Sequence, residues 1–247
     1  MMMIVENPEQ KQFSDFVNTI HRQFDKGGTV IYQQRNEIRV FEVNNLLINV
    51  KKFKIPNLFN RVVYTFFRKS KAQRSYMYAF KLKAMGIETP EPVAYILTKR
   101  GGLLHYSYYI SRQVDYNRNL YEFGEGGIEG REHILDAFAG FTASIHEKGI
   151  FHKDYSPGNI LFKVENGKVE FCIVDINRMR FGKVSVLQGC LNFVRLWGQK
   201  PFFDRVIRRY AELRHANPDK CMKTVWQARK KFWKRYTRKH PMPFVWD

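Results

Sequence analysis

Apolar residues recur along the chain in two rhythms. After Asn7-Pro8, the positions Phe13, Phe16, Val17, Ile20 and Phe24 are spaced as one face of a helix. Asn7 suits the N-cap, Pro8 the first turn, and Gly27-Gly28 ends the element. The rhythm then shortens. Runs over 29–32, 38–43 and 46–53 are rich in β-branched and aromatic residues and predict strands, joined by Gln33-Gln34-Arg35-Asn36 and by an Asn44-Asn45 turn. Helical spacing returns over 70–85, where Ser70 offers a cap and Gly86 a stop. Pro90 and Pro92 keep the next stretch extended. Strands over 93–98 and 103–111 flank Gly101-Gly102. Residues 1–112 therefore read as an antiparallel sheet with an N-terminal helix and one inserted helix.

Residues 113–247 read differently. A polar, glycine-rich stretch over 115–130 precedes a helix over 131–148 carrying Ile134, Leu135, Phe138, Phe141 and Ile145. A strand pair, 160–162 with 169–174, turns at Asn166-Gly167, and the remainder is helical. The expected class is α+β, with an antiparallel-sheet half and a mainly helical half.

Charge changes the picture more than composition does. The 247 residues are 44% hydrophobic, which is ordinary for a globular chain, but the net charge is +19. Two blocks hold the excess. Ten basic residues lie between Lys51 and Lys83, with no acid from Val43 to Ile87; thirteen lie between Arg205 and His240, against Glu212 and Asp219. Such blocks are either solvated faces or attractors of anions: nucleotide phosphates, anionic lipid headgroups, an acidic saccharide or nucleic acid. The three cysteines, Cys172, Cys190 and Cys221, are too far apart for a CxxC metal site or a disulfide scaffold and suit a reducing compartment. No apolar run approaches the ~18 residues of a membrane-spanning helix, and residues 1–8 lack the features of a signal peptide. The expected location is cytoplasmic, and peripheral where the protein meets a membrane.

The chemistry-bearing segment is His152-Lys-Asp154-Tyr-Ser-Pro-Gly-Asn159, followed by the apolar run Cys172-Ile-Val174 and then Asp175. This HxDxxxxN pattern, a hairpin and an apolar-Asp step resemble the catalytic and metal-binding segments of the protein-kinase-like fold. The resemblance implies a bilobal molecule with an N-lobe over 1–112 and a C-lobe over 113–247. Asp154 would accept a proton from, or orient, the attacking hydroxyl. Asn159 and Asp175 would hold Mg2+ against the phosphates of ATP, because Mg2+ needs few protein oxygens when phosphates and waters complete its shell. His152 reads as a brace for the loop backbone. Leu47-Ile48-Asn49-Val50-Lys51 fits a strand-borne lysine motif, with Lys51 on the nucleotide phosphates; alternation sends Lys52 to the other side of the sheet.

Within that fold the chain most resembles the bacterial lipopolysaccharide kinase family, the Kdo and core-heptose kinases. The segments that carry the resemblance are Tyr32-Gln-Gln-Arg-Asn-Glu37, Ile48-Asn-Val-Lys-Lys-Phe53, Met85-Gly-Ile-Glu-Thr-Pro-Glu-Pro-Val-Ala94 and His152 to Asn159. Asp175-Ile-Asn-Arg178 and Asn192-Phe-Val-Arg-Leu-Trp197 add to it. The resemblance implies an ATP-dependent kinase acting on a lipid-A-linked core saccharide at the cytoplasmic face of the inner membrane, where an anionic membrane surface suits a basic protein.

Three departures qualify that expectation. The phosphate-covering hairpin has no glycine, so Arg35 and Asn36 stand where backbone amides would meet the nucleotide. The lysine-pairing glutamate of the inserted helix is missing, and alignment sets Met77 in its place. The metal motif is Asp175-Ile-Asn rather than Asp-Phe-Gly, and no Ala-Pro-Glu segment follows. A RIO-like or other small protein kinase is the nearest rival, and a pseudokinase scaffold at the membrane the next. A nucleic-acid partner is the weakest reading. The aromatic and apolar residues of the basic C-terminal stretch, Met222, Val225, Trp226, Phe232, Trp233 and Tyr236, share one side of a helix, as docking on the C-lobe requires.

Overall fold

The computed structural model describes residues 1–125 and 127–246; Gly126, within the glycine-rich stretch, and Asp247 lie outside the described residues. The chain forms two compact units, Met1–Asp115 and Tyr116–Asp247.

The first unit is built on a six-stranded antiparallel sheet in the order β1-β5-β6-β4-β3-β2. Its strands are β1 (Met2–Glu6), β2 (Thr29–Gln33), β3 (Glu37–Val43), β4 (Leu46–Phe53), β5 (Pro92–Arg100) and β6 (Leu103–Arg112). β1 was not expected: five residues ahead of Asn7-Pro8 are too few to show a period, and only pairing with β5, Met2 opposite Thr98 to Glu6 opposite Ala94, makes them a strand. Asn7 caps the next segment by accepting from the Glu9 amide, and α1 (Ser14–Gln23) follows it. Phe13, Val17, Ile20 and Phe24 pack on one face of the sheet against Ile48, Val50, Ile96, Tyr108 and Ile110.

The other face carries α3 (Lys71–Ala84), which opens on a capping box between Ser70 and Gln73. Gly86 takes φ of 69° just beyond its end, where a side chain would be strained. Ala72 and Tyr76 pack there with Phe53, Tyr95, Leu97 and Tyr109. A second inserted helix, α2 (Leu58–Phe66), was also not expected. Its sequence, Leu-Phe-Asn-Arg-Val-Val-Tyr-Thr-Phe, is rich in β-branched and aromatic residues, and a cap at Asn57 sets its start.

In the second unit α4 (Glu132–Glu147) and α6 (Lys200–Leu213) pack together, and α7 (Pro218–Tyr236) docks on α6, on the short α5 (Val186–Cys190) and on residues 191–195. The buried stripe of α7 is Cys221, Val225, Arg229 and Trp233. Arg229 occupies a core position because aromatic faces surround it: its guanidinium sits 3.8 Å from the Phe203 ring centroid, with Trp226, Phe244 and Trp246 also within reach. It donates to the Leu196 carbonyl. The short β7 (Arg118–Asn119) pairs with β9 (Ile160–Glu165), whose hairpin with β10 (Lys168–Ile173) turns at Asn166-Gly167, both at positive φ. A small ladder, β8 (Ile150–His152) with β11 (Met179–Phe181), frames the loop between them. No described helix is long and apolar enough to cross a membrane.

Candidate functional site

Asp154 lies two residues past the end of β8, and two buried histidines fix the backbone that carries it. The Asp154 amide donates to His152 Nδ1 at 3.1 Å. The ring proton therefore sits on Nε2, which donates to the Val174 carbonyl at 3.1 Å and ties the Asp154 loop to the residue before Asp175. Burial lowers the His152 pKa, which keeps this ring neutral and the tautomer fixed. The expected role of His152 as a brace corresponds to these bonds.

Behind it runs a chain of buried polar groups. Asn192 Nδ2 donates to the His152 carbonyl at 2.9 Å, and Asn192 Oδ1 accepts from His146 Nε2 at 2.8 Å. His146 Nδ1 accepts from the Tyr210 hydroxyl at 2.9 Å, whose oxygen accepts from Arg214 at 3.1 Å. Gly189 makes room for this chain: a Cβ there would fall 2.0 Å from the Tyr210 hydroxyl and 2.6 Å from His146 Nδ1. Tyr155, fully buried, pins the other flank of the loop by donating to Thr142 at 2.9 Å and stacking on Phe138.

Pro157-Gly158-Asn159 forms a single tight turn. Asn159 Nδ2 donates to the Asp154 carbonyl at 2.8 Å, and the Val174 amide donates to the Asn159 carbonyl at 3.0 Å. With its NH2 end committed to the loop, Asn159 keeps only its side-chain oxygen as a group that could take a cation. Asp175 adopts the left-handed conformation (φ 54°, ψ 43°), and Asn177 Nδ2 donates to its Oδ1. Asp154, Asn159 and Asp175 thus belong to one hydrogen-bonded framework in the second unit.

The Asp154 carboxylate is gripped by two guanidiniums. Arg178 Nη1 donates to both oxygens at 3.0 and 3.1 Å, and Arg195 Nη1 donates to Oδ1 at 2.7 Å. Arg195 also stands over the Phe232 ring and lines an open cavity of about 450 Å³ with Phe232, Arg235, Tyr236, Lys239 and His240. Sequence reasoning gave no role to Arg178, Arg195, Asn192 or His146. The signal was present: three of them lie in the Asp175–Arg178 and Asn192–Trp197 segments singled out above. Arg195 is a charge inside an apolar run, and Asn192 is polar but buried.

Lys51, Arg35 and Asn36 lie in the first unit. Lys51 is central in β4, opposite Ile38 of β3 and Tyr109 of β6, and its ammonium lies 5.3 Å from the Phe53 ring centroid on the α3 face. Lys52 takes the opposite face, bound to Asp25 at 2.8 Å and set over Tyr106. Alternation along the strand produces this split. Arg35, in the β2–β3 turn, lines a cavity of about 290 Å³ with Phe53, Lys54, Tyr64 and Lys71, and Asn36 Oδ1 accepts from the Lys54 amide. Met77 is 42% exposed, with its sulfur 3.0 Å from Lys69 Nζ; the buried side of α3 carries Ala72, Ser75, Tyr76, Ala79 and Leu82 instead. The residue set by alignment at the glutamate position is therefore on the outer side of the helix.

Among the described residues no cluster of three or more His, Cys, Asp or Glu side chains could hold a metal. The donor set at the loop is one carboxylate and one amide oxygen. Both are hard ligands of the kind that a nucleotide-bound divalent cation takes, its remaining positions being filled by phosphates and water.

Comparisons with known proteins give the family and the fold. A family model described as "Lipopolysaccharide kinase (Kdo/WaaP) family" matches residues 49–183, which span Lys51, Asp154, Asn159 and Asp175. Among solved structures, the chain is similar to "WaaP in complex with acyl carrier protein", with a TM-score of 0.64 and 14% identity over 93% of this chain and 98% of that one. At that identity the likeness is one of fold, the protein-kinase-like fold. No curated protein matches the sequence.

Proposed function

Because the chain belongs to the lipopolysaccharide kinase (Kdo/WaaP) family, we propose that it transfers a phosphoryl group from ATP to a hydroxyl of a Kdo or core-heptose residue attached to lipid A. It is a kinase of lipopolysaccharide sugars. The finer reading rests above all on one observation: Arg195 touches both the Asp154 carboxylate and a cavity walled by cationic and aromatic side chains. An acceptor bearing carboxylate or phosphate would be drawn to Arg235, Lys239 and His240 while its hydroxyl meets Asp154.

Asp154 takes the role of orienting the acceptor hydroxyl and receiving its proton as the new O–P bond forms and the bond from the γ-phosphorus to the departing ADP oxygen breaks. Arg178 and Arg195 hold both oxygens of that carboxylate in one geometry, and orientation is where much of the rate of such a reaction originates. The Asn159 oxygen and the Asp175 carboxylate are the residues that would hold Mg2+. ATP bound with Mg2+ supplies the transferred group and neutralises charge around it. Lys51 would contact the nucleotide phosphates, with Arg35 and Asn36 at the turn that covers them. The basic blocks would keep the enzyme peripheral on the inner face of the inner membrane, beside its lipid-linked acceptor.

The test is a phosphate-transfer assay with a Kdo-bearing lipid A, a free sugar and a generic protein offered in parallel. Transfer should go to the Kdo-lipid, and Asp154→Ala should lower it by roughly 10²–10⁴-fold while nucleotide affinity is preserved. Transfer that ignores Asp154→Ala removes that residue from the mechanism. Preference for the protein would favour a protein kinase, and ATP binding without transfer a pseudokinase.

A further inference from the structure

Helix α2 is docked the wrong way round for a core element. Its polar stripe faces inward. Arg61 donates to the Leu104 carbonyl at 2.8 Å and to the Arg100 carbonyl at 2.9 Å, and Thr65 Oγ1 accepts from the Leu104 amide at 2.9 Å. Tyr64 packs from the same side against the cluster around Phe53 and Tyr95. These three residues lie within one arc of the helix. Leu58, Phe59, Val62 and Phe66 are the exposed apolar residues of the helix, and Phe67 follows them just past its C-terminal end.

None of α2 is buried. Leu58 is 67% exposed, Phe59 75%, Phe66 68% and Phe67 81%. Such a run of large apolar side chains on one helix face is uncommon on a soluble surface and marks something that covers it. The helix lies inside the acid-free block between Val43 and Ile87, with Arg68 and Lys69 immediately after it, both exposed, and Lys54 shortly before it. An apolar face bordered by cations and by no acid of that block matches the interface of an anionic bilayer. The rings would enter the acyl boundary, and the ammonium and guanidinium groups would stay among the headgroups. A second copy of this basic chain would bring like charges together around the same patch.

We infer that the outer face of α2, Leu58, Phe59, Val62, Phe66 and Phe67, is a membrane-insertion surface for anionic lipid. This deepens the peripheral reading given above by assigning the contact to one helix of the first unit, independently of phosphate transfer.

The full chain supplies its own test. Cys172, Cys190 and Cys221 are all buried, so Phe67→Cys offers one accessible thiol for an environment-sensitive fluorophore. The label should shift to the blue with vesicles of phosphatidylcholine mixed with phosphatidylglycerol, hardly at all with phosphatidylcholine alone, and less as salt rises. Phe59→Ser combined with Phe67→Ser should weaken flotation with the mixed vesicles by roughly tenfold or more. Both side chains are exposed, so that variant should keep the wild-type thermal transition and nucleotide affinity. A chain that floats with a silent label overturns the inference and moves the anchor to the C-terminal basic stretch, leaving the kinase reading intact. A label that responds to protein concentration without lipid, with a dimer in sedimentation that the double variant abolishes, also overturns it in favour of self-association. Absence of vesicle binding overturns it outright.

Discussion

Acidification should loosen the second unit through one imidazole. His146 is buried between Tyr210 and Asn192, and its pKa is brought from 6.5 down to about 4. Burial is the main cause; the bond to Asn192 opposes the shift and the Arg214 charge adds to it. The folded pKa lies below the unfolded one. Stability from this group is therefore complete above pH 6.5 and is lost as pH falls toward 4, because in that window the unfolded chain binds a proton that the folded chain refuses. At about 1.4 kcal/mol per unit over the interval, the loss is roughly 3 kcal/mol, or a fall in Tm on the order of 10 °C. The assay is urea unfolding from pH 7.5 to 4 on the wild type and on His146→Gln. Glutamine supplies a donor and an acceptor but does not titrate. His152 acts in the same direction in both proteins and cancels in the difference. The variant should be the weaker protein at neutral pH and the less acid-sensitive one. Equal acid slopes would refute the reasoning, as would imidazole resonances of His146 titrating near pH 6.5.

Arg195→Ala should raise the acceptor KM and lower kcat, each by about tenfold, since one side chain both holds Asp154 and lines the cation-walled cavity; steady-state kinetics with ATP saturating separates the two, and an unchanged acceptor KM would detach the cavity from acceptor binding. Gly189→Ala should destabilise the fold by about 2–4 kcal/mol, because its Cβ would enter the Tyr210–His146 hydrogen bond and both rings are held by further partners; denaturant midpoints for this variant and for Gly140→Ala, where the nearest obstacle is a Leu213 methyl at 3.9 Å, give the comparison.

Local signals made much of this architecture readable. Caps and stops at Ser70, Gly86 and Asn166-Gly167 fixed the edges of elements because each does its work within a few residues. The elements that escaped depend on distant partners. β1 exists through its pairing with β5, and α2 has a strand-like composition held in helical form by a cap and by hydrogen bonds of Arg61 and Thr65 with β6 and the end of β5. The same divide runs through the site. Asp154, Asn159 and Asp175 stand out because their spacing is short and ordered. Arg178 and Arg195 reach Asp154 from 24 and 41 residues away, and no periodicity announces such a contact. Arg229 hid in a basic block, where a charge that belongs to the core looks like any other.

The left-handed backbone at Asp175 governs how its carboxylate can be probed. Alanine there would delete the carboxylate proposed to hold the cation and also ask a Cβ-bearing residue with no polar group to hold a conformation costing about 1–2 kcal/mol, so backbone relaxation and the lost carboxylate would be mixed in one number. Asparagine tolerates that conformation far better and keeps a carbonyl oxygen to accept from Asn177, so Asp175→Asn removes the charge and spares the turn. Comparing the two variants separates electrostatics from conformation at a single position.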